Sequence, residues 1–514
     1  MSGWLFWLLV AAGILAAASG LALWSYGRFA RTARGAPAKA IPAGQGGAID
    51  GLIPEDADGA ALSFDPAEAL AIRLASIRLA ARSIDVMTYI WYDDAAGRQL
   101  AAELAQAARR GVRVRILLDD VNIWGRDRSW LALDRVEGVD IRVFNPVRQR
   151  RRGLARGLEL LLLALRYNRR MHGKLWSVDG RLALTGGRNL GDGYFGQARG
   201  ARRNQADADI LLTGGGAQGA VARVDALFDE FWNSGLALPL AALWSSRVKR
   251  SLSTPRSQRR AADRVSAAAA DSVAPEAECR ALQRLLDKRR FGVTLRLIAD
   301  PPEKALGQRP GPRGGRGWLP DHLVPALAGA ERSLTIATPY LVPGRAGLAE
   351  LTAQAARGVR VTVLTNALSV IDHAIVHGAY RWYRPRLLDA GIRLFEFGGT
   401  RGRRQVEMLH AKLAVIDGRT GFVGSFNFDM RSVFLNTELG ILCEAPELVR
   451  ELTAAFAEDT APERSHALQL VGGRLVWSLR GRQRARTLTH EPGANAWARG
   501  VSWVVGHLPI HSQL

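Results

Sequence analysis

The sequence predicts an α/β fold of two pseudo-symmetric domains, each a mixed, mostly parallel sheet flanked by helices, preceded by one transmembrane helix. Three observations predict it. The chain repeats itself, both copies alternate strand and helix patterns, and the first stretch is apolar without interruption.

From Trp4 to Tyr26 the residues WLFWLLVAAGILAAASGLALWSY carry no charge, and a helix of that length crosses a hydrocarbon core of about 30 Å. Trp4, Trp7, Trp24 and Tyr26 lie near its ends, where aromatic rings favour the membrane interface. Arg28, Arg31, Arg34 and Lys39 follow, so the positive-inside rule puts the rest of the chain on the cytoplasmic side. A cleaved signal peptide is the alternative. AAASG offers small residues for it, but the apolar run is long and no basic stretch precedes it.

After the anchor, RSIDVMTYIW (Arg82 to Trp91) matches RSLTIATPYL (Arg332 to Leu341), each with the pattern of a buried strand. A helical segment, a glycine stop and a Val/Ile/Leu strand follow in both copies, ending at Asp120 and at Asn366. VDIRVFN (Val139 to Asn145) then pairs with GIRLFEF (Gly391 to Phe397). Strand-helix-strand units of this kind build sheets covered on both faces.

The expected division is therefore residues 1–45 for the anchor and a basic juxtamembrane linker, 46–249 for the first domain and 279–465 for the second. Between them, 250–278 reads as an Arg/Ser/Ala/Pro linker without apolar periodicity, and 466–514 as a tail packed on the domains. The stretch Asp300 to Trp318, rich in Gly, Pro and basic residues, reads as a loop beside the site or a plain surface insertion.

Lys and Arg number 70 against 48 Asp and Glu, a net charge of +22. Such an excess favours anionic lipid surfaces or nucleic acid; an arginine-rich solvated surface fits it equally. Cys279 and Cys443 are too few for a disulfide framework or a zinc site of paired cysteines.

The chemistry sits in two matched segments. MHGKLWSVDGRLALTGGRN supplies His172, Lys174 and Asp179, then Gly187 and Asn189; LHAKLAVIDGRTGFVGSFN supplies His410, Lys412 and Asp417, then Ser425 and Asn427. The spacing is identical in both. On a strand, residues two apart share a face, so imidazole and ammonium meet one phosphate together. Two imidazoles supply the nucleophile and the acid that transfer at phosphorus needs. The lysines, with Asn189, Asn427, Gly187 and Ser425, form the expected phosphate-binding set. Asp179 and Asp417 each precede Gly and read as turn formers that support the motif without carrying protons.

These paired motifs resemble the His-Lys-Asp motif of the phospholipase D superfamily. The blocks YIWYDD, GVRVRILLDDVN, NRRMHGKLWSVDG, GGRNLGDGYF, VGSFNFDMRSVFLNTELG and LPIHSQL are similar to those of bacterial cardiolipin synthases of the C type. The resemblance implies two phospholipase D-like domains, a single-pass inner-membrane enzyme, and a phosphohistidine intermediate with His172 as nucleophile and His410 as general acid and base; the symmetry of the motifs also permits the reverse. It implies acidic residues that orient the histidines, Glu438 for His410 and Asp207 for His172, with Asp209 second to Asp207. The implied substrates are phosphatidylglycerol, with phosphatidylethanolamine as a further donor, and no metal, cofactor, nucleic acid or second subunit is required. Gly173 and Asn366-Ala367-Leu368 depart from the family's usual Asn and Asn-Ser-Leu, which bears on the acceptor. Hydrolysis to phosphatidic acid, a nuclease, and an inactive membrane scaffold are the competing readings; the anchor disfavours the second and the intact motifs the third.

The first copy carries an insert, NPVRQRRRGLARGLELLLLALRYNRR, in which Arg148, Arg150, Arg151, Arg152 and Arg156 precede a Leu-rich run. Two readings fit: a helix lying in an anionic membrane surface, or a core helix with a solvated arginine head.

Overall fold

The computed structural model describes residues 3–44, 46–53, 57–123, 127–199, 203–244, 275–309, 317–398, 400–401, 405–480 and 485–507. The expected linker lies outside the described residues up to residue 274, as do residues 310–316 of the expected loop and the closing LPIHSQL from residue 508.

Helix α1 (Gly3–Ala33) is long and apolar enough to cross a membrane, with mean hydropathy 2.2. Its flanks are bare, with Trp7, Ile14, Leu21 and Trp24 all exposed. Among the described residues, only its base meets the body. There Tyr26 is buried and its hydroxyl donates to Pro146 O at 2.7 Å.

The first sheet is built from β1 (Gly59–Ser63), β2 (Ser83–Thr88), β3 (Arg113–Asp119), β4 (Val139–Phe144), β5 (Leu175–Val178), β6 (Leu182–Gly186), β8 (Asp209–Thr213), β9 (Ala237–Pro239) and β10 (Arg290–Phe291); β7 (Asn204–Ala206) pairs elsewhere. Its strand order is β10-β1-β8-β6-β5-β2-β3-β4-β9. On its outer face lie α2 (Pro66–Leu79) and α3 (Ala95–Arg109), capped by Asp65 and Asp94, whose carboxylates accept the orphan N–H groups of Glu68 and Gly97. The insert forms α4 (Leu154–Leu162) and α5 (Ala164–Tyr167), and α6 (Ala220–Asn233) covers the inner face.

The second sheet repeats the plan. Its strands are β11 (Thr294–Ala299), β12 (Ser333–Ala337), β14 (Arg360–Asn366), β15 (Arg393–Phe397), β18 (Leu413–Ile416), β19 (Thr420–Gly424), β21 (Leu439–Glu444), β22 (Ser465–Val471), β23 (Arg474–Arg480) and β24 (Ala485–Leu488). They run in the order β11-β21-β19-β18-β12-β14-β15-β22-β23-β24. Short β13 (Leu341–Val342) pairs with β20 (Phe428–Asp429), and β16 (Thr400–Arg401), β17 (Gln405–Leu409) and β7 form a third ladder.

Both sheets are mixed, as expected, but the parallel part is narrower than the strand-helix-strand pattern implies. It is confined to β2-β3-β4 and β12-β14-β15, because the strands after each histidine return as tight antiparallel hairpins, β5-β6 and β18-β19. Facing each other, the sheets share one core: Leu175, Ile210, Phe228 and Trp232 from the first half pack in one cluster with Leu413, Val423, Ile441 and Phe456 from the second. Phe456 lies on the helix Pro446–Asp459, the counterpart of α6.

From Pro275 to Asp287 the chain is helical (α7) and packs on α2, with Arg78 bonded to Glu278, and β10 then joins β1. Those contacts argue for a division between the domains after Phe291 rather than at 279. Among the second-half helices are α8 (Gly344–Ala356), α9 (Ala374–Arg381), α10 (Met430–Phe434), α11 (Pro446–Asp459) and α12 (Ala496–Gly506). The tail extends the second sheet and lays α12 along α9. Buried Arg384, bridging Glu396 at 3.1 Å and Glu491 at 2.8 Å, ties it down.

Candidate active site

Each Asp-Gly of the motif is the two-residue turn of a hairpin. Asp179 and Gly180 have φ of 54° and 66°, Asp417 and Gly418 of 54° and 65°, the left-handed pair that a type I′ turn demands. The Asp179 carboxylate accepts the backbone N–H of Ala81, Arg82 and Ser83, and Asp417 those of Glu331, Arg332 and Ser333. Each aspartate thus pins the start of β2 or β12 to the hairpin beside it and stands away from the histidines.

Asp179→Ala leaves three N–H groups without an acceptor and puts alanine in a left-handed conformation, which together cost roughly 3 kcal/mol. We expect the variant's melting temperature in detergent to fall by several degrees, while turnover per folded molecule stays near wild type. Turnover lost without loss of stability would give Asp179 a chemical role instead.

The histidines sit where the halves interlock. Met171 bridges Thr437 in parallel, with His172 N donating to Thr437 O at 2.9 Å and Thr437 N to Arg170 O at 2.8 Å. Across the pseudo-twofold axis β17 runs parallel to β7, and His410 N donates to Ala206 O at 2.7 Å. The residue before each histidine is fixed by a strand end: Met171 N donates to Asp119 and Leu409 N to Asn366, both at 2.9 Å.

This interlock corrects the expected assignment of the acids. His172 Nδ1 bonds Glu438 at 2.8 Å, and His410 Nδ1 bonds Asp207 at 2.6 Å; each imidazole is held by the other half's carboxylate. The reason is the cross-pairing itself, since Thr437 lies beside His172 and Ala206 beside His410, and the acid is the next residue in each case. Asp209 is not at a histidine; it pairs with Arg73 at 3.0 Å and Arg188 at 3.3 Å.

The supports differ in kind. Glu438 Oε2 accepts from Ser425 Oγ at 2.5 Å and Oε1 from Ser432 Oγ at 2.9 Å, so Ser425 acts on the acid rather than lying free for phosphate. Glu438 N donates to Asp300 at 2.8 Å, and Asp300 is neutralised by buried Lys304 at 2.7 Å. At Gly187, the counterpart of Ser425, a Cβ would stand 2.2 Å from Asp207 Oδ1, so glycine leaves the room that this carboxylate fills. Asn189 is engaged, accepting from Ile90 N at 3.2 Å and donating to the Tyr194 hydroxyl at 2.9 Å. Asn427 keeps a buried Oδ1 without a partner among the described residues.

Burial dominates the electrostatics. It lowers both imidazoles to about 4, against the pull of Glu438 and Asp207, and lowers Lys174 to about 7 and Lys412 to about 8. Burial also opposes charge on Asp207 and Glu438, but the partner histidines and lysines outweigh it and hold both carboxyls below the usual range. The site therefore pairs neutral imidazoles with ionised carboxylates at pH 7, and an anionic phosphodiester arriving there would raise the affinity of histidines and lysines for protons.

Two rings that the motif reading did not assign complete the walls. Tyr89 stands edge-on to His172 with centroids 4.9 Å apart, and Tyr194 to His410 at 5.2 Å. The repeat gave no signal for Tyr89, which aligns with Pro339 of the second copy. Tyr194 had no signal either.

The family model described as cardiolipin synthase, PLD-like domain, matches residues 74–232 and 323–460. This chain belongs to that family. Its two matched segments contain both His-Lys-Asp motifs of this cardiolipin synthase relative. Cardiolipin synthase C of Escherichia coli is 33% identical over 466 residues, covering 86% of this chain and 93% of that protein. A cardiolipin synthase of Geobacillus kaustophilus is 28% identical over 389 residues, 75% of this chain and 62% of that one. In fold the chain is similar to phosphatidylserine synthase of Haemophilus influenzae, with a TM-score of 0.55 at 14% identity, covering 87% of this chain and 91% of that one. The protein is an enzyme of the phospholipid phosphatidyltransferase type.

Proposed function

We propose that this enzyme moves a phosphatidyl group from a glycerophospholipid to phosphatidylglycerol, making cardiolipin through a phosphatidyl-histidine at His172. The observation that carries the reading is the pair of imidazoles, each fixed through Nδ1 by a buried carboxylate, so that neither Nε2 is spent on its acid; the Lys412 ammonium stands 3.1 Å from that of His410.

In the first half-reaction His172 Nε2 attacks phosphorus, the bond to the head-group alcohol breaks, and His410 gives that oxygen its proton. Glu438 stabilises the positive imidazole of the adduct. In the second half-reaction the hydroxyl of phosphatidylglycerol attacks, His410 takes its proton, and the phosphorus–nitrogen bond breaks. Lys174 and Lys412, with Asn427, balance charge on the nonbridging oxygens. This route uses no metal or cofactor. Both motifs lie in one chain, so a monomer suffices, and nucleic acid is not an expected substrate. The reading also makes α1 a single-pass inner-membrane anchor, with Arg28, Arg31 and Arg34 placing the domains on the cytoplasmic side.

The pH dependence follows from the buried charges. Below about pH 4 His172 protonates and loses its nucleophilic nitrogen; above about pH 7 Lys174 loses its charge first, then Lys412, and the nonbridging oxygens lose their counter-charge. We expect kcat/KM to fall on the alkaline side starting near neutrality, and a profile rising steadily to pH 10 would exclude charged lysines as phosphate ligands.

The direct test is to incubate the purified enzyme in detergent with phosphatidylglycerol, with and without phosphatidylethanolamine, and to identify the lipid products by mass spectrometry. Cardiolipin is expected, and its dependence on phosphatidylethanolamine names the donor. Phosphatidic acid alone would make the enzyme a hydrolase.

A further inference from the structure

We infer that α4 and α5 form a second membrane contact, an amphipathic segment lying in the same anionic leaflet that α1 leaves and fixing the body against it. The inference rests on α1 being an anchor.

Leu154, Leu158, Leu161 and Leu165 recur at steps of four, three and four, so they make one stripe along the segment. They are 90%, 52%, 63% and 86% exposed, a continuous apolar row that a water-facing helix has no reason to carry. The opposite side is spent on the anchor: Leu160, Leu163 and Tyr167 pack in one cluster with Ala22, Tyr26 and Ala30 of α1. The segment's acid faces inward too. Glu159 accepts the N–H of Arg148 and Gln149 at 2.8 Å and the Tyr167 hydroxyl.

The depth fits. From Trp4 to Trp24, α1 rises about 30 Å, the thickness of a hydrocarbon core. Ala22 and Tyr26, where α4 and α5 dock, lie within about 3 Å of the Trp24 level along the axis. A collar of positive charge surrounds that level: Arg28 lies over Trp24 at 4.9 Å, Arg148 over Phe29 at 5.0 Å and Arg166 over Tyr26 at 4.2 Å. Arg151 and Arg152 are exposed at the head of the stripe. Apolar side chains at interfacial depth under a basic collar match an anionic bilayer surface and not a protein groove.

The inner end of the segment runs straight to the site. Asn145 Nδ2 donates to Arg166 O and Arg169 O, and three residues beyond Arg169 stands His172. The contact would therefore hold the cleft at the height of phospholipid head groups.

The test uses the full chain in a Cys279→Ser, Cys443→Ala background, with a fluorescent probe at Leu161→Cys, at Leu15→Cys in α1, or at Arg357→Cys, an exposed position at the end of α8 in the second half. Each is reconstituted in phosphatidylethanolamine–phosphatidylglycerol vesicles containing nitroxide-labelled lipid. Quenching at residues 15 and 161 and none at 357 is the expected result. Quenching at 15 without 161 would overturn the inference and leave the anchor standing; none at either would remove both. Protection of residue 161 that rises with protein concentration would give the stripe to a second copy, against the inference. Independently, Leu158→Glu with Leu161→Glu should lower turnover of phosphatidylglycerol in vesicles by at least about tenfold, with turnover of short-chain, monomeric phosphatidylglycerol unchanged. Equal loss on both would count against a membrane role.

Discussion

His172→Ala is expected to lower the rate of cardiolipin formation on the order of ten-thousand-fold, with the melting temperature little changed. The size follows from the chemistry. Without a nucleophile the reaction must proceed by direct attack of one lipid alcohol on another lipid's phosphodiester, and only the lysines remain to stabilise the charge. His410→Ala should be as damaging with natural donors, whose alkoxide leaving groups need a proton. The two variants part on a donor with a p-nitrophenyl leaving group, which departs without one. There His410→Ala should still release nitrophenol in a single stoichiometric burst, and His172→Ala should not. More than about 1% of wild-type turnover in His172→Ala would remove it as the nucleophile, since loss of a covalent catalyst is never that mild.

Second in size is the crossing of the acids. Asp207→Asn and Glu438→Gln keep shape and hydrogen-bonding capacity but remove the charge that stabilises an imidazolium, so each should slow turnover about 100- to 10,000-fold. Because His172 is held by Glu438 and His410 by Asp207, the variants should divide by half-reaction. With the p-nitrophenyl donor, Glu438→Gln should lose the burst and Asp207→Asn should keep it. The opposite division would mean that each acid serves the histidine of its own half.

Much of this was legible in one sequence because the gene product repeats itself. Two strands, two helices and two His-x-Lys motifs at equal spacing left little freedom for the sheets or for the identity of the reacting groups. The turn role of Asp179 and Asp417 was legible too, since Asp-Gly after a short apolar run is the signature of a two-residue hairpin. What was not legible is where the copies meet. Nothing in LNTELG says that Thr437 will pair with Met171, and so nothing says that Glu438 reaches His172 rather than His410. The family resemblance implied the reverse, and interlocking backbones decided it. The same blindness hid Tyr194, whose ring closes on a histidine from the other half, and gave Ser425 to the phosphate when its hydroxyl is spent on Glu438. It also placed the start of the second domain too early, because the pairing of β10 with β1 is a contact between residues more than 200 apart.

The central claim is a covalent phosphatidyl-histidine on one named side chain, and the most direct measurement is acid-free rapid quenching of the enzyme with phosphatidylglycerol, followed by mass mapping of the modified peptide. A phosphatidyl adduct on His172, absent from His172→Ala and accumulating in His410→Ala with the p-nitrophenyl donor, is the expected result. An adduct on His410, or cardiolipin made at full rate with neither histidine ever modified, would contradict it.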